Sequence, residues 1–432
     1  MEARVSKFYY GWIIILVGLI VVTLVYGCKL CFGTLFGSLI DEFGWSRAMV
    51  TSIFSISILV QALLQPMGGA LLDKFGPRKM LAVGGILMGL SLVVFGRAHS
   101  LWSIYFSYGI LFSLATVVAG FVTNTTMVSY WFSQKRGIAI GIVGAGTSLG
   151  LFIFNPLLAY LIEHLGWRMS MEYLGVLAAT TILAVVIFLT KDRPEDVGQQ
   201  MDGISKEEER QPKSIAGLSS PGVNEPPIAK PDWTFNKALQ TREFWLLFTA
   251  YIGYLFAWYS ITNHTVMAMC DMGLERMKAA TIFGYTGLSG AIAGLICAWL
   301  ADYLRDRKYM VIIAYVLIGS GVFLLSRSAG QIGLLYFTVI IMGTGHGGGV
   351  LMSAVVADRF GVTSMGKIWG TISMAGLLGG AIGPVVVGYI YDVTKSYGVA
   401  WLIVTAITFF SLICMACVRK TPGIMRLAPG KL

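Results

Sequence analysis

Three side chains able to carry charge stand inside stretches that are otherwise apolar. They are Lys29 in the first long hydrophobic run, His264 in the seventh and His346 in the tenth. An ammonium at the centre of a bilayer costs about 2.5–3.5 kcal/mol on insertion scales, so Lys29 must face a partner, water or a guest. No Asp or Glu lies in the interior of any run; Asp73, Glu172 and Asp302 sit at the ends. A cation without a carboxylate to neutralise it favours an anionic guest, and the chemistry on offer is neutralisation of a small acid. The other reading of Lys29 is snorkelling toward the nearer surface, since it lies about two thirds of the way along its run. An imidazole at that depth can hold an anion or carry a proton near neutral pH, so His264 and His346 are candidates for proton coupling and for binding.

Other polar groups join them. The seventh run carries Tyr251, Tyr254 and Trp258 at helical spacing on one face, then Asn263 beside His264. Aromatics so spaced serve packing as readily as binding. His346 stands within Gly343-Thr344-Gly345-His346-Gly347-Gly348-Gly349, where a helix could unwind or pack very closely. Tyr26 precedes Lys29 by three residues, and Asn124 is a polar position in the fourth run. These residues, with Lys29, form the candidate substrate site.

The elements that must position them are membrane helices. The chain has 432 residues, 56% hydrophobic and 12% charged, with a mean hydropathy of +0.74, which excludes a water-soluble protein of this length. A helix crossing the hydrocarbon core needs about 20 mostly apolar residues. Such runs fall near 11–37, 48–72, 79–97, 101–130, 138–162 and 170–189, then 243–269, 277–301, 309–327, 331–356, 367–391 and 398–418. They are too long, and too rich in Leu, Ile and Gly, to be alternating barrel strands of about 10 residues. The fold class expected is an all-α membrane protein with twelve transmembrane helices.

The two sets of six are copies. The turn Gly69-Ala70-Leu71-Leu72-Asp73-Lys74-Phe75-Gly76-Pro77-Arg78-Lys79 has an echo in Ala298-Trp299-Leu300-Ala301-Asp302-Tyr303-Leu304-Arg305-Asp306-Arg307-Lys308, with Asp302 standing 229 residues after Asp73. Arg47 and Arg276, Ile53 and Ile282, and Phe54 and Phe283 share that offset, and Asn155-Pro156 is matched by Gly383-Pro384 one residue out of step. Landmarks under one shift mean a duplicated unit. Two pseudo-symmetric six-helix bundles are therefore expected over 1–190 and 242–432. Between them 191–241 is expected to be a solvated linker, as Lys206-Glu207-Glu208-Glu209-Arg210 and the Pro- and Ser-rich stretch after it cannot bury a core. Arg47 and Arg276 read as structural hairpin residues.

The formal charge of +10 sits in loops on one side, so it orients the chain and does not imply nucleic acid. With both termini cytoplasmic, most of the 32 Lys and Arg fall inside, which is the expected topology in a cell (inner) membrane. The first run is too long for a signal-peptide core and lacks a cleavage site, so it reads as a retained anchor. Cys28 and Cys31, like Cys414 and Cys417, are one turn apart but lack His or acidic partners, and read as packing residues. The glycines from Gly376 to Gly383 read as a close-packing surface, not as a phosphate loop. No metal, cofactor or catalytic residue is expected; no nucleophile with a base or nucleotide loop supports an enzyme.

The Gly69–Lys79 turn resembles the signature loop between helices 2 and 3 of the major facilitator superfamily, and its weaker copy falls between helices 8 and 9 as that family's does. Closer likeness is to the monocarboxylate transporter family and its bacterial relatives. Trp131-Phe132-Ser133-Gln134-Lys135-Arg136-Gly137-Ile138-Ala139-Ile140-Gly141-Ile142-Val143-Gly144-Ala145-Gly146 resembles that family's helix 5 pattern, departing at Trp131, Gln134, Ile138 and Val143. Gly11-Trp12 is similar to the end of its helix 1 motif, and Arg193-Pro194-Glu195-Asp196-Val197-Gly198 to a segment typical of bacterial members.

The resemblance implies a secondary carrier working by alternating access around a midplane site between the halves, lined by helices 1, 4, 7 and 10. It implies a functional Lys on helix 1, within one residue of Lys29. It also implies a conformational clasp at Gly69, Asp73, Lys74, Gly76, Arg78 and Lys79 and at Asp302, Arg305 and Arg307, with Asp73 capping the neighbouring helix and pairing with basic residues of the turn. Family members add an Arg, often with an Asp, on helix 8; here Thr281 to Trp299 carries no charge, so any proton must be taken elsewhere. The expectation is a monomer that moves a small organic anion, foremost a monocarboxylate, by proton symport or anion exchange, with protons and membrane lipid as its other partners. A carrier or exporter of a neutral or cationic solute is the alternative.

Overall fold

The structure is a computed structural model. It describes residues 9–133, 135–201, 234–301, 304, 306–328, 330–349, 351–361 and 364–419. Eleven helices among these are long and apolar enough to cross a membrane. One of them, Arg136–Leu189, has 54 residues, about 80 Å at 1.5 Å per residue against a hydrocarbon core of about 30 Å. It turns at Gly166, whose φ of +74° is outside helical geometry and open to glycine without strain. That turn divides it into two crossings, giving twelve.

We number them α1 (Gly11–Phe43), α2 (Arg47–Phe75), α3 (Pro77–Gly96), α4 (Leu101–Ser129), α5 (136–165), α6 (167–189), α7 (Arg242–Asp271), α8 (Arg276–Ala301), α9 (Lys308–Arg327), α10 (Ile332–Phe360), α11 (Met365–Thr394) and α12 (Gly398–Cys417). Among the described residues there is no strand.

Packing repeats with the sequence. Helix α1 lies on α5, α2 and α3 on α4, and α3 on α6; α7 lies on α11, α8 and α9 on α10, and α9 on α12. The adjacency is the same, shifted by six. The halves meet along α2 with α11, α5 with α8 and α1 with α7, again as symmetric partners.

Several spans are less regular than unbroken apolar runs suggest. Helix α1 is interrupted at Cys31. Helix α4 contains a π-helical stretch, Tyr105–Phe112, and breaks at Gly120, where ψ is −159°. The broken turn strands carbonyls that a side chain must satisfy.

The segment expected to be solvated linker differs at both ends. Beyond α6, Thr190 and Pro194 are buried, the Tyr10 amide donates to Gln199 Oε1 at 2.9 Å, and the Arg193 guanidinium covers the Tyr130 ring at 5.9 Å. Before α7, a short helix Phe235–Leu239 is capped by Thr234 and buries Ala238. Aromatic and proline side chains interleaved with the charges give both ends something to bury. Residues 202–233, including the three-glutamate run, lie outside the described residues.

The halves touch unevenly along their length. Near the middle of the spans, α8 presses on α5 so closely that a Cβ added at Gly287 would stand 2.6 Å from the Phe152 amide nitrogen. Toward the face that carries the chain ends and the Asp73 turn, here the terminal face, contact ceases. A Cβ at Gly69, Gly137, Gly141, Gly366 or Gly370 would meet nothing within 4 Å, and Leu63, Met67 and Ile138 are 76%, 60% and 65% exposed. The hollow between the halves therefore opens on the terminal face. Gly287→Ile is expected to force α5 from α8 and lower stability by about 1–3 kcal/mol, read as a drop in melting temperature in detergent, whereas Gly137→Ala, in open space on α5, does not lower it.

Candidate functional site

Lys29 is 2% exposed, and its ammonium donates to Gln61 Oε1 on α2 at 2.5 Å. Tyr26 of its own helix and Tyr259 of α7 bring their rings to 5.8 and 5.6 Å from Nζ, within range of a cation–π attraction. Lys29 thus sits where the two halves meet and does not snorkel. Tyr108 of α4 adds a hydrogen bond to the Lys29 carbonyl at 3.2 Å, which pins the helix turn that carries it. Gln61 is the contact that helix-by-helix reading missed: an uncharged residue in an apolar run, made significant only by what lies opposite; Tyr259 stands among the polar residues of the seventh run.

The aromatic face of α7 and His346 of α10 form one cluster. The His346 ring stacks on Trp258 with centroids 3.5 Å apart and planes 3° from parallel, and the Tyr254 hydroxyl lies 2.8 Å from Nδ1. Tyr251 stacks on Tyr254 and abuts Trp369 of α11. His346 Nε2 has no partner among the described residues and is not among the fully sealed polar atoms. A ring fixed by stacking, with one nitrogen held and the other free, can accept or deliver a proton at a defined point.

His264 is placed otherwise. Its Nε2 lies 2.8 Å from the Pro384 carbonyl, which only accepts, so Nε2 carries the hydrogen and Nδ1 accepts from Tyr397 Oη at 3.0 Å. Both nitrogens are engaged and the residue is fully buried, in the seal on the face opposite the chain ends. Asn124 and Asn263 are likewise committed. Asn124 Nδ2 donates to the carbonyls of Ala119 and Gly120, repairing the break in α4, and its Oδ1 is sealed from the open space. Asn263 Nδ2 donates to the Tyr259 carbonyl, and its Oδ1 is also sealed. Among the sequence candidates, Lys29 packs with Tyr26 against Tyr259, and Tyr251, Tyr254 and Trp258 form one cluster with His346, whereas His264, Asn124 and Asn263 hydrogen-bond to the surrounding scaffold.

The closed face is held by charge. Arg47, at the start of α2, reaches across to Asp271 at the end of α7 with two bonds of 2.7 and 2.9 Å, and donates to Tyr397 Oη at 2.8 Å. Its guanidinium lies 3.5 Å from the Tyr391 ring centroid. Asp392 of α11 accepts from the backbone amides of Arg47 and Ala48, both at 2.9 Å, placing a carboxylate on the positive end of α2. The counterpart Arg276 donates to Ser38 Oγ at 2.7 Å and pairs with Asp41 at 3.5 Å, both at the end of α1. The two arginines expected to be hairpin residues are instead reciprocal ties between the halves.

On the terminal face the expected clasp is arranged differently. Asp73 is exposed and makes no ion pair or side-chain hydrogen bond among the described residues. The cap of α3 comes from Asp192, whose Oδ1 accepts from the Arg78 amide at 3.1 Å; Arg78 also donates to the Ile187 carbonyl at 3.0 Å. Gly76, with φ +78°, makes the tight turn, and Lys74 and Lys79 are exposed. In the second half Asp306 caps α9 through the Lys308 amide and is clamped by buried Arg359 at 2.8 and 2.9 Å, while Arg307 pairs with Asp358 at 3.4 Å. Asp302 and Arg305 lie outside the described residues.

Twelve helices in two matching sets, with a charged turn after the second and eighth, also match a known sequence profile, that of the Major Facilitator Superfamily, over residues 15–353 and 279–430. The chain belongs to the major facilitator superfamily. It is a multi-pass membrane protein of a transporter family. This major facilitator is 26% identical over 402 residues to monocarboxylate transporter 13 of Bos taurus, covering 92% of this chain and 86% of that one. It is 24% identical over 381 residues to the oxalate:formate antiporter of Oxalobacter formigenes, covering 87% and 83%. Human monocarboxylate transporter 11 is 24% identical over 418 residues, covering 91% and 80%.

The Arg47–Asp271 pair, with side chains 9% and 28% exposed, lies between the surface pairs that contribute about 0–1 kcal/mol and buried pairs whose rupture costs about 3–5 kcal/mol. Asp271→Asn is expected to let this major facilitator open on the Arg47 face. Spin labels at His99→Cys and Lys278→Cys, exposed on that face in opposite halves, in a background without native cysteines, should then show an added longer distance that is absent with Asp271 intact.

Proposed function

We propose that this chain is a secondary carrier of small organic anions, foremost monocarboxylates, and that it works by alternating access. The observation that carries the reading is the Lys29 ammonium, buried where the halves meet and held by an amide, with no carboxylate among the described residues neutralising it. An anion entering from the open side would complete the charge, and the aromatic rings of Tyr26, Tyr251 and Trp258 would receive its apolar body. The similarity to proteins named monocarboxylate transporters and an oxalate:formate antiporter supports the same cargo class. The open terminal face is the cytoplasmic one if the positive-inside bias of the loops holds, which puts both termini in the cytoplasm and makes this an inward-open state.

For coupling, the free Nε2 of His346 supports a proton carrier at the hollow, in place of the charged pair this chain lacks on α8. His264, with both nitrogens engaged, is suited to the seal. A second reading, transport of a neutral solute with Lys29 purely structural, draws on the short Lys29–Gln61 bond.

Two measurements in proteoliposomes decide between these. Lys29→Gln is expected to abolish counterflow of labelled pyruvate and lactate while the protein still inserts and purifies as a single species; undiminished counterflow would favour the neutral-solute reading. His346→Gln is expected to keep pyruvate exchange but to lose accumulation driven by an imposed pH gradient. Equal loss of both would assign His346 to binding and leave coupling elsewhere.

A further inference from the structure

Gln61 is the polar residue nearest the chemistry that the function does not yet use. It is 7% exposed, deep in α2, and its amide orientation is decided by its partner: an ammonium has only hydrogens to give, so the atom 2.5 Å from Lys29 Nζ is the carbonyl oxygen. The amide nitrogen therefore points away from Lys29. Among the described residues it makes no hydrogen bond, and it is not one of the polar atoms fully sealed from the surroundings. Tyr259, whose hydroxyl has no partner among the described residues and is not fully sealed, brings its ring to the same ammonium from the other half.

We propose that Gln61 is the second donor of a carboxylate site: Oε1 holds the Lys29 ammonium in the empty carrier, and Nε2 presents a hydrogen to the acid that Lys29 neutralises. The proposal rests on the anion-carrier reading and deepens it. A carboxylate has two oxygens with about four acceptor positions, more than the two N–H groups left on the Lys29 ammonium once Gln61 Oε1 takes one. An amide beside the lysine supplies the missing donor without adding charge. Glutamate at 61 would pair with Lys29 and occupy the site permanently; an apolar residue would leave the ammonium unpartnered when no substrate is bound. Glutamine alone among these fills both roles, and Tyr26 and Tyr259 then flank a guest with a small apolar body.

The test uses the full-length protein in proteoliposomes, with pyruvate affinity taken from competition against labelled pyruvate. Gln61→Met is expected to weaken pyruvate about tenfold or more, in line with losing one hydrogen bond to a charged group, and Gln61→Glu to weaken it further. The decisive variant exchanges the two side chains. Lys29→Gln combined with Gln61→Lys should regain at least part of the binding lost by Lys29→Gln, since both positions face one anion. A residue that only steadies Lys29 would give no such recovery. Wild-type affinity in Gln61→Met, or an exchanged protein as inactive as Lys29→Gln with an unaltered gel-filtration profile, overturns the proposal. If the wild-type protein takes no carboxylate, the carrier reading itself fails; if it does and only the Gln61 variants are unaffected, the failure belongs to Gln61.

Discussion

A buried ammonium whose partner is an amide is the constraint around which this molecule is arranged. Lys29 could have been neutralised by a carboxylate on any neighbouring helix, and an ion pair of that kind would have closed the site. The protein instead offers a carbonyl oxygen and two aromatic rings, which make the charge tolerable but leave it uncancelled. Such a centre has electrostatic demand left to satisfy. It lies between two halves that part on one side of it, so what satisfies it can arrive from water.

Closure on the other side uses the charges that the site withholds. Arg47, Asp271, Asp392, Arg276 and Asp41 tie the halves at the face away from the chain ends. The ties are reciprocal: the second helix of each half reaches the end of the first helix of the other. Duplication thereby yields two latches from one invention. The directed chain from Arg47 through Tyr397 to His264 and the Pro384 carbonyl extends the seal inward, with the Tyr397 hydroxyl accepting from Arg47 and donating to His264. By contrast Asp73 at the open face makes no ion pair or side-chain hydrogen bond among the described residues, and the caps of α3 and α9 are supplied by Asp192 and Asp306 within their own halves. Ties between halves gather at the closed face, beside the within-half pairs Arg97–Glu172 and Arg168–Glu42, while the ion pairs among the described residues at the open face stay within one half.

The two histidines show how placement sorts identical chemistry. His346 is pressed flat on Trp258 and keeps one nitrogen open; His264 spends both nitrogens on fixed partners. Asn124 and Asn263 turn their amides to main-chain carbonyls, because a broken or distorted membrane helix has no water to satisfy its backbone. A polar residue in a span is therefore as often a repair to the helix as a contact for cargo.

The amino-acid sequence by itself determined the architecture. Apolar length sets the crossings, since a bilayer leaves helices little alternative, and the 229-residue offset sets two bundles because equal sequences pack equally. It also singled out Lys29, as a lone cation among apolar residues is conspicuous in one dimension. Tertiary structure decided the rest. Gln61 carries no signal until a helix from elsewhere brings an ammonium to it. Arg47 and Arg276 looked like hairpin residues because a repeat reveals that a position matters, not which half it touches. Which face stands open depends on the balance of latch energies between two packings of one chain, a small difference between large sums that no local pattern of residues records.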